Sequence, residues 1–268
     1  MFIKKEKRKS EDYLYDLSEV REERILLYTH LGLGDAIICN GFINYLSLKK
    51  NKKIHLIIDK KFTNSIQYLY SENKNIELLP VELDDVNNAD RSVKEISANM
   101  GLKALKVGFS YYKGMKFYKA FYKQLNIPYK YSYKYFNQPR DKKKEEELYK
   151  SLIDYYDVDP MNYNLIHSDA SSAAGEKALR VGFSNNFELD IKNNFKSIFV
   201  EKKSDIFQNM FFYRALILEA KEIHCIDSSF LHLVERVETN AKLYFHKLKQ
   251  ENQTSEKLEL YKNWNVII

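Results

Sequence analysis

The sequence lacks any run of about 18 apolar residues, so no segment is long enough to span a membrane. Its first ten residues, M-F-I-K-K-E-K-R-K-S, lack the apolar stretch of a secretory signal peptide. Cysteine is scarce, and Cys39 and Cys225 lie in apolar surroundings, which argues against a disulfide framework or a zinc site. We therefore expect a cytoplasmic globular protein with no metal cluster, of one large or two small domains.

A strand, a glycine turn and a helix are predicted in succession near the N-terminus. Residues 25–28 are apolar and predict a buried strand, and the turn that follows contains Gly32 and Gly34. Glycine permits positive φ or the close approach of another group to the backbone. Helical spacing of apolar residues begins near Asp35. The residues alone leave three roles open for this turn: it could hold an anion on backbone N–H groups, present Asp35 as a base, or simply cap the helix.

The same turn lacks the third glycine of a dinucleotide-binding fingerprint. Gly32 and Gly34 satisfy the first half of G-x-G-x-x-G, but Ile37 stands at the third glycine position. Asp35 would also place a negative charge where a pyrophosphate should bind. An NAD-type oxidoreductase is therefore disfavoured.

Strands alternate with helices through the first half of the chain, which predicts a parallel sheet in a doubly wound α/β domain. The predicted strands are residues 25–28, 53–59, 75–81 and 104–109, with helices from Asp35 and over 63–70. A charged amphipathic helix then separates this domain from a second one. The predicted organisation is an N-terminal acceptor-side domain over 1–138, a linker helix within 139–160 and a C-terminal nucleotide-sugar domain over 161–268.

Residues 111–136 carry an unusual excess of lysine and tyrosine. They contain six lysines, no arginine and no acidic residue. A helix over 115–125 is predicted, and alternating tyrosines over 128–136 indicate an edge strand. Three interpretations stay open: core-facing elements whose lysines reach into water, a surface for a sugar or anionic acceptor, and a site for single-stranded nucleic acid. Without arginine to grip phosphates, nucleic acid is the least favoured.

The second domain opens with a strand over 163–167 that ends at His167 and enters a loop of small residues. Ser168, Ser171 and Ser172 offer hydroxyl groups there, either for a phosphate cradle or as an ordinary solvent loop. A helix over 206–220 and strands over 178–183 and 196–200 follow. Residues 264–268 are expected to pack back on the fold.

A second apolar strand with a polar turn and a helix lies at residues 222–236. Asp227, Ser228 and Ser229 can cap the helix, and the same groups could bind a diphosphate. His224, inside the strand, is predicted to be a core residue, whereas His232 lies one turn into the helix and can face a cleft.

Together the two turns resemble those of GT-B glycosyltransferases, and in particular the bacterial heptosyltransferases of glycosyltransferase family 9. That family has a G-D-x-(I/V) turn, matched by H-L-G-L-G-D-A-I from His30, and a V-D-T-G-(L/M)-x-H-L turn, matched by C-I-D-S-S-F-L-H-L from Cys225. The resemblance implies two Rossmann-like α/β domains that face a cleft. Ser229 departs from the family pattern, which has glycine there, and no lysine or arginine is placed by motif to neutralise a diphosphate.

The resemblance also implies an activity and a set of site residues. It implies transfer of a hexose or heptose from a nucleotide sugar to a glycan or lipid-linked acceptor, with inversion, without a metal and without a further cofactor. A lipid-linked acceptor would bring the protein into peripheral contact with a membrane. The implied catalytic residues are Asp35, as general base, and His30; the implied nucleotide-sugar residues are Gly32, Gly34, His167, Ser168, Ser171, Ser172, Asp227, Ser228, Ser229 and His232. The alternative is a single-stranded nucleic-acid-binding protein that uses residues 111–136.

Overall fold

Apolar segments with few polar residues form parallel strands in two separate sheets. A computed structural model describes residues 11–82, 86–109, 117–169, 188–247 and 260–268. The chain divides into two compact units, one made of Met1–Leu31 and Ile38–Asn137, the other of Gly32–Ile37 and Gln138–Ile268. Over the described ranges, each unit contains one five-stranded sheet, and all strand pairs of both sheets are parallel. Parallel strands are buried on both faces, which explains their continuous apolar sequences.

The first sheet has the strand order β1-β5-β2-β3-β4. Its strands are β1 (Tyr13–Leu14), β2 (Arg24–Tyr28), β3 (Lys53–Asp59), β4 (Ile76–Val81) and β5 (Ala104–Lys106). The helices of this unit are α1 (Leu33–Lys49, whose first residues group with the second unit), α2 (Thr63–Tyr70), α3 (Val86–Met100), α4 (Phe117–Gln124) and α5 (Tyr131–Lys134). The core on one side of the sheet includes Tyr13, Leu26, Ile57, Val93 and Leu102.

The second sheet has the strand order β10-β9-β8-β6-β7. Its strands are β6 (Asn164–His167), β7 (Ser197–Phe199), β8 (Glu222–Cys225), β9 (Lys242–His246) and β10 (Trp264–Ile267). The helices of this unit are α6 (Lys142–Tyr156), α7 (Arg214–Glu219) and α8 (Ser229–Val234), among the residues that the structure describes. None of the described helices is long and apolar enough to cross a bilayer.

Helix α1 is buried around its whole circumference over residues 36–44 rather than amphipathic. Asn40 is completely buried inside it, and its Oδ1 accepts hydrogen bonds from Asn44 Nδ2 (3.0 Å) and from the backbone N–H of Asn137 (2.9 Å). The next residue, Gly41, faces α5 so closely that a Cβ there would lie 2.2 Å from the carbonyl oxygen of Tyr131. Glycine at this position therefore allows the backbone of α5 to pack directly on α1.

Two predicted elements differ in the structure, and a third cannot be compared. The predicted edge strand over 128–136 is wrong, because this stretch contains the short helix α5. Tyrosines four residues apart can pair on a helix, just as alternating tyrosines can share one face of a strand. The rings of Tyr131 and Tyr135 lie 4.7 Å apart, and those of Tyr129 and Tyr133 5.8 Å apart. The predicted strand over 178–183 lies outside the described residues.

The predicted helix over 206–220 begins too early. Asp205 accepts hydrogen bonds from the backbone N–H groups of Phe207 (2.9 Å) and Asn209 (2.9 Å), which folds these residues into a turn. Gln208 adopts positive φ within it, and α7 begins only at Arg214. The aspartate thus stabilises a turn that competes with the helix. At the C-terminus, residues 264–267 form the edge strand β10, parallel to β9.

Candidate functional site

The strand order of the second sheet predicts where a ligand can bind. The chain enters the sheet at β6, adds β7 on one side, and then adds β8 on the other side. The direction of winding therefore reverses between β6 and β8. In open α/β sheets, ligands bind outside the carboxyl ends of the strands at such a point. Here those ends are His167 of β6 and Cys225 of β8, and they are joined by a 3.2 Å hydrogen bond from the N–H of Ile226 to the carbonyl of His167.

The turn after β8 presents Asp227 and two serines. Ser228 is the N-cap of α8, and its Oγ accepts a hydrogen bond from the N–H of Leu231 (3.4 Å). Asp227 is not used as the cap, so its carboxyl group remains beside the turn, with 24% of the side chain exposed. This arrangement leaves a carboxylate and the hydroxyl of Ser229 at the carboxyl edge of the sheet.

The glycine turn before α1 lies against the same helix. A Cβ on Gly34 would lie 3.4 Å from Cδ2 of His232 and 3.5 Å from Cα of Ser229. A Cβ on Gly32 would lie only 2.8 Å from Oδ2 of Asp35. Neither glycine has positive φ. Both are therefore explained by close approach: Gly34 admits the start of α8, and Gly32 leaves room for the carboxylate of Asp35.

Two acidic side chains with raised pKa values meet in this region. Burial and, to a smaller extent, the negative charge of Asp227 together raise the pKa of Asp35 to about 7. Burial also raises the pKa of Asp227 to about 6. Removal of a carboxyl group from water favours its protonated form, and a nearby negative charge adds to this effect. At neutral pH, Asp35 is thus divided between its acid and base forms, which is the condition that suits a general base.

His232 is neutral in this environment. Burial and, to a smaller extent, the positive charge of Arg236 together lower its pKa to about 3. Its Nε2 lies 3.9 Å from Oδ1 of Asp227, too far for a direct hydrogen bond. The Nη1 of Arg236 donates to the carbonyl of His232 (2.9 Å). No sequence motif predicted Arg236 as a site residue. Its position four residues after His232 is the signal that could have indicated it.

His167 and Ser168 lie at the end of β6, and both are buried. The ring of His167 stacks on Phe230 of α8 with centroids 5.5 Å apart, and burial lowers its pKa to about 4. Its Nδ1 has no hydrogen-bond partner among the described residues. Ser171 and Ser172, which were predicted to contact the same phosphates, lie outside the described residues.

His30 belongs to the first unit, where it packs among aromatic side chains. Its ring lies edge-on to Phe109 (4.6 Å) and Phe121 (5.2 Å). Burial lowers its pKa, in spite of a hydrogen bond with the backbone of Gly108. The imidazole is therefore neutral at pH 7. Within the described parts of the chain, no group of three or more His, Cys, Asp or Glu side chains is placed to hold a metal ion.

The chain is similar to known proteins in structure, whereas its sequence matches none. No protein-family model matches the sequence, and no curated protein sequence matches it. The structure is similar to that of a glycosyl transferase family 9 protein from Veillonella parvula DSM 2008, with a TM-score of 0.51 and 13% identity over 83% of this chain and 80% of that chain. A second match is Escherichia coli heptosyltransferase WaaC with ADP-2-deoxy-2-fluoro heptose, at a TM-score of 0.40 and 11% identity over 91% and 92% of the two chains, respectively.

The likeness to the Veillonella protein concerns the fold. It confirms the predicted α/β class, with a parallel sheet in each of the two units, and the resemblance in fold to a family 9 glycosyl transferase.

Proposed function

We propose that the protein is a glycosyltransferase that moves a hexose or heptose from a nucleotide sugar to a glycan or lipid-linked acceptor. The observation that carries the proposal is the environment of the Asp35 carboxyl group. Burial and the charge of Asp227 raise its pKa to about 7, and its Oδ2 lies beside Gly32. A fold shared with a family 9 glycosyltransferase supports it.

Asp35 is proposed to act as the general base. The acceptor hydroxyl gives its proton to the Asp35 carboxylate while the hydroxyl oxygen forms a bond to the anomeric carbon. The bond between that carbon and the diphosphate oxygen breaks, and its electron pair leaves with the nucleoside diphosphate. Attack opposite the leaving group inverts the anomeric configuration. His30 is proposed as a second catalytic group, which meets the acceptor as a neutral imidazole.

The donor is proposed to bind where β6 and β8 end. It is contacted by the turn and first residues of α8, namely Asp227, Ser228, Ser229 and His232. His167 and Ser168 lie next to this turn, at the end of β6. Helix α8 has six residues, so its dipole offers limited charge stabilisation. Arg236 supplies a full positive charge within one turn of His232. Hydrogen bonds and this charge would offset the leaving diphosphate without a metal or a cofactor.

The first test is thermal unfolding of the full chain with UDP, GDP, ADP or CMP, with and without magnesium. A nucleotide at 100 times its dissociation constant stabilises a protein by about 2.7 kcal/mol, which a melting curve resolves. Stabilisation by one nucleoside diphosphate without metal supports the proposal and identifies the base of the donor. If no nucleotide changes the melting temperature at millimolar concentration, the proposed donor site is wrong.

The second test is Asp35→Asn, with Asp154→Asn on the exposed side of α6 as the matched control. Loss of a general base should reduce transfer by about 10²- to 10⁴-fold while nucleotide binding is kept.

Because folding raises the pKa of Asp35 from 3.8, the wild-type fold loses stability as pH rises from about 4 to 7. Asp35→Asn should therefore melt at a higher temperature than wild type at pH 8. Full transfer activity in this variant would exclude Asp35 as the base.

A further inference from the structure

Three tyrosines join the end of α1 to α5 on the surface of the first unit. The ring of Tyr45 lies 4.8 Å from that of Tyr131 and 5.2 Å from that of Tyr135, and all three rings are half-buried. Leu48, one turn beyond Tyr45, is 59% exposed. An exposed leucine thus stands one helical turn from a group of half-buried tyrosine rings.

Two exposed lysines border the rings. Lys50 Nζ lies 5.9 Å from the centre of the Tyr45 ring, and Lys134 Nζ lies 5.6 Å from that of Tyr135. Neither ammonium group has a carboxylate partner within the part of the chain that the structure describes. Glu72 is the nearby exposed acid, and it accepts a hydrogen bond from Asn137 (3.3 Å). We refer to Tyr45, Leu48, Lys50, Tyr131, Lys134 and Tyr135 as the lysine–tyrosine face.

The chemistry of this face fits the surface of an anionic bilayer. Tyrosine is enriched at membrane–water interfaces, because its ring is apolar and its hydroxyl is polar. Lysines near an anionic surface are attracted to lipid headgroups, and their long stems follow apolar surface. Leu48 supplies an apolar side chain that can enter the headgroup region.

A nucleic acid fits the face less well. Stacking of bases requires free ring faces, whereas these three rings pack against one another at 4.7 to 5.2 Å. The described residues 117–136 also contain no arginine for bidentate contacts with phosphate.

We propose that the lysine–tyrosine face binds the surface of a bilayer that contains anionic phospholipids. This interaction goes beyond the proposed transfer reaction and does not depend on it. The two would act together if the acceptor is lipid-linked, since the face would then hold the protein where the acceptor is.

The test is co-sedimentation of the full chain with phosphatidylcholine vesicles and with vesicles of 70% phosphatidylcholine and 30% phosphatidylglycerol. We expect binding to the anionic vesicles in 50 mM salt, weaker binding in 300 mM salt, and little binding to the neutral ones. Lys50→Gln with Lys134→Gln should weaken binding by about thirtyfold, since each lysine near an anionic surface contributes roughly fivefold. Leu48→Ser should weaken binding by several-fold at both salt concentrations, because its contribution is not electrostatic.

The matched control is Lys221→Gln with Lys242→Gln, which makes the same change of charge at exposed positions of the second unit. An equal loss in this control would show that net charge, not the face, attracts the vesicles and would overturn the proposal. Equal binding to neutral vesicles, or no vesicle binding, would also overturn it. Binding of a single-stranded oligonucleotide but not of vesicles would replace it with the nucleic-acid alternative.

Discussion

At the scale of single residues, Gly32 fixes where the Asp35 carboxylate can lie. In Gly32→Ala the new Cβ would lie 2.8 Å from Oδ2 of Asp35, which is closer than van der Waals contact allows. The end of a flexible side chain moves more easily than backbone, so we expect Asp35 to turn away and the fold to survive. Transfer should fall by about 10- to 100-fold, because a misplaced base loses its alignment with the acceptor.

The companion variant Gly34→Ala tests whether the position of the added methyl group, rather than its volume alone, reduces transfer. Its Cβ would lie 3.4 Å from the nearest atom, which is ordinary contact, so the loss should be smaller. Activity measured against pH gives a second readout. If Asp35 in Gly32→Ala moves away from burial and from Asp227, its pKa falls and the acid limb of the profile shifts to lower pH. A larger loss in Gly34→Ala than in Gly32→Ala would contradict this account.

The sequence could predict these residues but not their contacts. A glycine turn before a helix is a local pattern, and so is an Asp-Ser-Ser turn after a strand. That Gly34 touches Ser229 and His232 depends on packing between segments far apart in the chain. For the same reason the pKa of Asp35 could not be inferred, since burial and the charge of Asp227 raise it only in the folded protein.

At the scale of elements, hydrogen bonds accepted by Glu235 link the edge strand β10 to the end of α8. Its buried carboxylate accepts hydrogen bonds from the N–H groups of Tyr261 (2.6 Å) and Lys262 (3.2 Å) and from Nε1 of Trp264 (2.6 Å). Hydrogen bonds to a charged group contribute about 1.5 to 3 kcal/mol each, and water can replace part of this loss. Glu235→Ala should therefore reduce the free energy of unfolding by about 2 to 4 kcal/mol.

Denaturant unfolding followed by fluorescence measures this effect, because Trp264 is the single tryptophan of the chain. The control is Glu238→Ala, a neighbouring exposed acid. Glu235→Gln should be destabilised too, since an amide offers one oxygen and no charge to three donors. Equal stability of Glu235→Ala and Glu238→Ala would show that the carboxylate does not hold β10.

Elements with a clear apolar period could be predicted well, and those decided by side-chain competition could not. Strand β3 and helix α2 have the predicted bounds. Helix α5 and the turn at Asp205 do not follow from periodicity, because tyrosine pairing favours a helix in one case and an aspartate cap favours a turn in the other.

At the scale of the whole molecule, the histidines should make stability sensitive to acid. Burial lowers the pKa of all six: His30, His55, His167, His224, His232 and His246. A lowered pKa means that stability is present above about pH 6.5 and is lost as pH falls. Asp35, Asp205 and Asp227 act in the opposite direction, because burial raises their pKa values, but these groups are fewer than the histidines. We expect the free energy of unfolding to fall as pH drops below about 6.5, because the folded state then binds fewer protons on its histidines than the unfolded chain does.

Urea unfolding between pH 7.5 and 4.5 measures this slope. The pair formed by His224 Nδ1 and His246 Nε2, 2.9 Å apart, should contribute to it, because protonation of both rings would break their hydrogen bond. Their other charged neighbours are Glu222, 3.4 Å from His224 Nε2, and Asp190, which raises the pKa of His246 against the lowering by burial. A flat profile from pH 7 to 5 would show that these histidines are not neutral in the fold.

The burial of Asn40 ahead of Gly41 has a consequence for chemical ageing. An Asn-Gly pair in a flexible chain deamidates readily, because the glycine nitrogen can swing round to attack the asparagine side-chain carbonyl and close a succinimide ring. Inside α1 the backbone cannot swing, and Oδ1 of Asn40 is held by Asn44 and Asn137. Deamidation of Asn40 therefore requires α1 to unfold. The amount of deamidated Asn40 in stored protein measures the total time that α1 has spent unfolded, even where such unfolding is too rare for equilibrium methods to detect.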